Sequence, residues 1–194
     1  MNTTKSTPVS SNKMATKDIV LVGMFAAILT VISQISIPMP SGMPITIQVF
    51  GVALVGVVLG WKMGILATLV YIFIGAIGLP VFSSFRGGLD VLTGITGGYI
   101  IAWPILSGLC GIRFNHLSKF KSLALTILLS MIGLAAVEII GGLQWSFLSG
   151  NMSVSAVFTY SMVAFVPKDI LITILAVILG NRIRRPLVLS GYLK

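Results

Sequence analysis

The sequence predicts an all-α integral membrane bundle of six transmembrane helices, and three observations lead there. Of its 194 residues, 56% are hydrophobic and only 9% are charged, against about 25% charged in a soluble domain. A soluble fold of this size has too little polar surface here to cover its core, and the mean hydropathy of +1.07 says the same. Six apolar segments follow one another along the chain, separated by stretches that carry Pro and Gly. Finally, the cations are not scattered: they gather beside alternate gaps between those segments.

Residues 1–16, "MNTTKSTPVSSNKMAT", are polar, rich in Ser and Thr, and hold no apolar run. They read as a flexible cytoplasmic tail, since a signal peptide needs an apolar core and a cleavage site. A membrane domain follows over 17–185, and 186–194 reads as a second cytoplasmic tail. Within the domain the apolar segments lie at about 18–37, 45–60, 63–79, 89–111, 121–142 and 163–181. A spanning helix needs about 20 residues, so the second segment is short for its task. The stretch after residue 142, with Trp145, Phe147, Phe158 and Tyr160, reads as a long outer loop with interfacial aromatic anchors.

Orientation comes from counting. Lys5, Lys13 and Lys17 precede helix 1, and Lys62 sits between helices 2 and 3. Arg113, Lys119 and Lys121 lie between helices 4 and 5; Arg182, Arg184, Arg185 and Lys194 follow helix 6. Eleven of the 13 cations thus share one side, which the positive-inside rule makes cytoplasmic, with both termini inside. The net charge of +9 is then a topology and lipid-surface signal, and nucleic acid is not a partner.

Arg86 and Lys168 break the pattern and fall on the opposite side, with Asp90, Asp169 and, within the apolar run "IGLAAVEIIGG", Glu138. An ionisable group at membrane depth is costly unless paired or in water, so these five are functional candidates. Each also has an ordinary reading. Arg86 and Asp90 are spaced i,i+4 and suit each other as partners. Asp169 follows Pro167 at a helix start, where an acid is common. Lys168 suits headgroups. Glu138 has no partner in its own helix. Gln48, one turn into helix 2, needs a partner on another helix or a ligand, and Tyr99 follows a Gly-Gly pair that permits close approach or tight helix packing. Asp18 is left to the helix dipole, His116 to solvent and Cys110 to packing. No P-loop, zinc-protease or serine-hydrolase motif is present, so neither ATP hydrolysis nor other catalysis is expected, and no cofactor or metal is implied.

Three stretches carry a resemblance: "PMPSGMPITIQVFGVALVGVVLG" (38–60), "GAIGLPVFSSFRGGLDVLTGITGGYIIAW" (75–103) and "VAFVPKDIL" (163–171). They resemble the biotin-specific substrate-binding subunits, the BioY family, of energy-coupling factor transporters. Where that family usually has Gly-Pro-Thr-Gly-Gly-Tyr, Ile95 replaces the Pro, and a small residue is common at the position of Asp90. Where it has Pro-Gly-Asp followed by Lys, Lys168 replaces the Gly and Ile172 the Lys; these two lie one turn apart on one helix face.

The resemblance implies a binding subunit in the bacterial cytoplasmic membrane. It captures biotin from outside and works with a transmembrane coupling subunit of the EcfT type and two cytoplasmic ATPases of the EcfA type. A subunit for another vitamin and a stand-alone secondary carrier are the alternatives. It implies Asp169 and Gln48 toward the ureido ring, Arg86 or Lys168 toward the carboxylate, and Tyr99 on the ring system. Asp90 and Glu138 complete the candidate set, Glu138 alternatively pairing with Lys168. It also implies a docking face on helix 1, here Gly23/Ala27 and Ala26/Thr30, a small-xxx-small pattern.

Overall fold

The structure, a computed structural model, describes residues 14–39, 42–114, 116–150 and 152–193. Eight helices run in the order α1 (Thr16–Ser33), α2 (Gln48–Leu59), α3 (Trp61–Ala76), α4 (Leu89–Thr93), α5 (Gly97–Cys110), α6 (Lys119–Ser149), α7 (Val154–Ala164) and α8 (Val166–Leu189). A two-residue antiparallel ladder, β1 (Ser36–Ile37) with β2 (Ile45–Thr46), lies between α1 and α2. The class is the expected one, an all-α apolar bundle, with that ladder as an addition.

The helix α2 is the axis of the molecule. Its sequence, "QVFGVALVGVVL", is apolar on every side, and every residue except Phe50 is buried. A helix apolar all round must be wrapped by others, and α1, α3, α5 and α8 do so. Contact there is backbone-close: a Cβ at Gly56 would strike the carbonyl of Ser107 in α5. The turn into α3 is made at Gly60, whose φ of 86° an L side chain rarely adopts.

The outer surfaces of the wrapping helices and of α6 are apolar, with Ile19, Val31, Phe73, Ile132 and Leu171 exposed. By length and composition α1 and α6 can cross a membrane, and the α7–α8 pair, bent by 49°, makes a third candidate; α2, α3 and α5 are shorter.

Three expected boundaries move. The segment expected at 89–111 is broken, because the chain is extended at Gly94 and the amide of Gln144 reaches from α6 to donate to the carbonyls of Leu92 (2.9 Å) and Gly94 (2.8 Å). The stretch expected as a long outer loop is mostly helix, since α6 continues to Ser149 and α7 follows. Gly141 and Gly142 are contact points for Tyr99 and Phe158 rather than breaks; the chain turns at Gly150, with φ 58°. Trp145 accordingly is no surface anchor: it is 2% exposed and stacks edge-on with Tyr160, whereas Phe147 is 88% exposed.

The expected C-terminal tail is helical to Leu189 and then turns back, with Leu193 buried and Lys17 Nζ donating to the Gly191 carbonyl at 3.0 Å. Most of the N-terminal tail, with Lys5 and Lys13, and Lys194 lie outside the described residues. Of the remaining expected cytoplasmic cations, Arg113 and Arg184 both reach the last turn of α2, on the Val57 and Val58 carbonyls.

Candidate functional site

A cavity of about 650 Å³, including its open mouth, lies at the opposite end of α2. Its wall is built from helix starts: Gln48 opens α2, Thr96 and Tyr99 open α5, and Lys168 and Asp169 open α8. Glu138 enters from the middle of α6, and Met43, Pro44, Thr46, Ser83 and Arg86 come from the loops above. Helix starts gather there because the breaks in the sequence (the junction of Thr46 and Ile47 before α2, Gly94, Phe165–Pro167) all lie at this end.

Six of the seven expected binding residues line this cavity: Gln48, Arg86, Tyr99, Glu138, Lys168 and Asp169. Asp90 does not. Its side chain is 71% exposed and faces Arg86 at 3.6 Å, so the i,i+4 reading holds for Asp90 while Arg86, 53% exposed, also reaches the cavity wall.

Asp169 is buried, and Lys168 Nζ donates to its Oδ1 at 2.5 Å and to the Thr46 carbonyl at 2.7 Å. The pairing of Glu138 with Lys168 is therefore not formed: Glu138 Oε2 accepts instead from Ser161 Oγ of α7 at 2.5 Å. Gln48 Nε2 donates to Tyr71 Oη at 3.3 Å; Tyr71 in turn donates to the Val81 carbonyl at 3.0 Å and meets Ser33 at 2.7 Å. The ring of Tyr99 lies flat over Gly141, where a Cβ would enter it, and Gly98 packs against the Ile140 carbonyl. The Gly-Gly pair thus serves helix packing, and that packing aims Tyr99.

Two wall groups, Tyr99 Oη and Trp103 Nε1, are buried with no hydrogen-bond partner among the described residues. A buried donor without a partner costs about 1–3 kcal/mol, so both groups are available to bond a ligand in the cavity. Trp103, Phe165 and Ser161 join the expected residues at the site. Trp103 is one turn from Tyr99 and shares its face, a signal that the i,i+4 spacing carries. Phe165 sits in the α7–α8 bend, stacked on Trp145 and Tyr160, and only the fold brings it to the wall.

On helix α1, Gly23 and Ala27 are exposed and form one outward strip. Ala26 is buried in the core and Thr30 turns its hydroxyl back to the Ala26 carbonyl at 3.1 Å, so the second expected pair is not part of an outward face. Among the described residues no three His, Cys, Asp or Glu side chains converge on a metal site. Cys110 is buried, donating to Ser130 Oγ at 3.2 Å, and His116 is exposed.

The chain is similar to known proteins along most of its length. It is 38% identical over 171 residues to the probable biotin transporter BioY of Pyrococcus horikoshii, covering 88% of this chain and 98% of that one. To the biotin transporter BioY of Thermotoga maritima it is 32% identical, covering 87% and 96%. The fold matches a crystal structure of the S-component for biotin from an ECF-type ABC transporter, with TM-score 0.76 and 28% identity over 89% of this chain and 95% of the other. The family model described as "BioY family" matches residues 3–188, nearly the whole chain, and this protein belongs to the BioY family.

Proposed function

We propose that the protein is the high-affinity biotin-binding S component of an ATP-driven ECF vitamin transporter: it captures biotin and does not itself catalyse a reaction. The observation that carries this reading is a cavity whose polar groups sort by depth. Biotin presents a ureido ring, with two N–H donors and one carbonyl, and at its other end a carboxylate. Buried in the wall are acceptors and donors together: the Asp169 carboxylate, the Gln48 amide, and the unpartnered Tyr99 and Trp103 groups. At the rim stands the half-exposed cation Arg86.

The ureido ring enters first, with Asp169 accepting its N–H groups in charge-assisted bonds. Gln48 contributes beside it, and Tyr99 packs on the bicycle. Lys168, held by Asp169 and Thr46, fixes the carboxylate of Asp169 in place, which leaves Arg86 as the partner of the valerate carboxylate. Glu138, held by Ser161, borders the ring.

The bundle sits in the bacterial cytoplasmic membrane as six segments, with both termini and the Arg113 end of the molecule cytoplasmic; the clustering of cations at that end supports this orientation. The strip of Gly23 and Ala27 on α1 faces an EcfT-type coupling subunit, which links the protein to two EcfA-type ATPases. Equilibrium binding of labelled biotin to the purified protein tests the reading. Saturable binding, displaced by unlabelled biotin and not by thiamine or riboflavin, is expected. Displacement by another vitamin at equal concentration would assign the cavity elsewhere.

A further inference from the structure

We propose that Gln34, the residue that closes α1, is the positioning residue for the loop that carries Arg86, and so sets how tightly the carboxylate end of the ligand is held. The inference rests on the assignment of Arg86 to that carboxylate.

The ends of the loop are held by α3, with Tyr71 Oη donating to the Val81 carbonyl at 3.0 Å and Gly88 N–H to the Gly75 carbonyl at 2.7 Å, and Arg86 N–H donates to the Ser83 carbonyl at 3.3 Å; its tip is what lacks a partner from within the loop. Phe82 N–H donates to the Arg86 carbonyl at 2.9 Å, and between them Ser84 and Phe85 both sit at positive φ, 57° and 56°. Residues with side chains occupy that region sparsely, so two in succession need support from outside. Gln34 supplies it. Its Oε1 accepts the Phe85 N–H at 2.9 Å, and its Nε2 donates to the Val81 carbonyl at 3.3 Å and to the Thr30 carbonyl of its own helix at 3.0 Å. One amide thus grips the loop at both legs, Val81 and Phe85, and anchors it to α1. Ser36 and Ser84 add a hydroxyl contact at 3.1 Å.

The chemistry needs an amide, which has a donor and an acceptor side by side; a carboxylate lacks the donor and an alkyl chain lacks both. Arg86 directly follows Phe85, and its ion pair with Asp90 is solvent-exposed, a class of contact that holds a side chain weakly. The backbone therefore aims Arg86, and at the residue before it, Phe85, Gln34 is the side chain that fixes that backbone. Gln34 is not in the cavity wall, so it acts through the loop and not on the ligand.

The test compares biotin with biotin methyl ester on purified wild type, Gln34→Leu, Gln34→Glu and Arg86→Ala, with hydrogen exchange followed over residues 82–88. Gln34→Leu is expected to weaken biotin by about tenfold and the ester by less than about twofold, with faster exchange over that segment. Gln34→Glu keeps the acceptor for Phe85 and falls between; it carries the comparison alone should Gln34→Leu not fold. Retained ester binding shows that the cavity is intact. If Arg86→Ala loses biotin selectively while both Gln34 variants keep the wild-type ratio of biotin to ester, Gln34 does not position Arg86. If Arg86→Ala weakens both ligands equally, the carboxylate assignment itself fails, and the effect on affinity claimed for Gln34 fails with it.

Discussion

The two ends of α2 treat polar groups in opposite ways. Where α2 stops, its last carbonyls lie inside the bundle, and two arginines from other elements close them. The Arg113 guanidinium donates to the Val57 carbonyl and, at 3.2 Å, to Asn181 Oδ1; Arg184 donates to the Val58 carbonyl at 2.5 Å. Burial pushes Arg113 down to about 10, with the nearby Arg184 adding to the shift, and it stays charged at neutral pH. Where α2 starts, the polar groups face a cavity, and Tyr99 Oη and Trp103 Nε1 are left without partners among the described residues. The last carbonyls of a helix need partners, and the two arginines supply them at one end; at the other, buried donors of α5 line a cavity and are available to a ligand. Charge inside an apolar body is thus not one signal but two, told apart by what it touches.

This comparison can be broken by substitution. The largest expected effect is at Asp169, where Asp169→Asn replaces a charged acceptor by an amide. Biotin affinity should fall about tenfold to over a hundredfold, read by equilibrium binding, because a charge-assisted bond contributes about 1.5–3 kcal/mol. Unchanged affinity would leave Asp169 as the partner of Lys168 at the start of α8 and not as a ligand contact.

Next is Arg113→Met, which strips a donor from a buried carbonyl. Stability should fall by about 1–3 kcal/mol in chemical unfolding, with biotin affinity within about twofold of wild type. A selective loss of affinity would make that end part of the binding machinery. Trp103→Phe sharpens the comparison in the other direction. If its Nε1 serves the ligand, affinity drops about three- to tenfold, while stability holds or rises because an unpartnered donor is gone. The smallest effect belongs to Asp90→Ala, since an exposed i,i+4 pair contributes about 0.3–0.5 kcal/mol. Its unfolding midpoint should not move measurably.

Much of this division is legible in the amino-acid sequence. Arg86 and Lys168 stand apart from the cation set, and Glu138 and Asp169 stand out against apolar runs, because charge in a greasy sequence is rare enough to be read singly. The all-α apolar class follows from composition. Pairing is what sequence hides. Glu138 looks like a partner for Lys168, yet Ser161 reaches it first, because the expected loop is the helix α7. Aromatic residues are hidden for the same reason: Trp145 and Tyr160 read as interfacial anchors until the bend at Phe165 stacks the three rings beside the cavity. Gln34 carries no sequence signal at all, since its role depends on a loop whose tip, Phe85, is 51 residues away along the chain. Small-residue spacing on α1 offers two faces, and only burial separates Gly23 and Ala27 from Ala26.

The central claim is that one end of α2 is built for the fold and the other for the ligand. The most direct test is the thermal unfolding midpoint of wild type, Arg113→Met and Asp169→Asn, each without and with saturating biotin. A ligand raises the midpoint in proportion to RT ln(1 + [L]/Kd). Wild type should rise clearly; Arg113→Met should start lower and rise by the same amount. Asp169→Asn should also start lower, because it breaks the buried pair with Lys168, but should rise far less. An Asp169→Asn protein that gains the full biotin shift, or an Arg113→Met protein that starts level and gains none, would contradict the account.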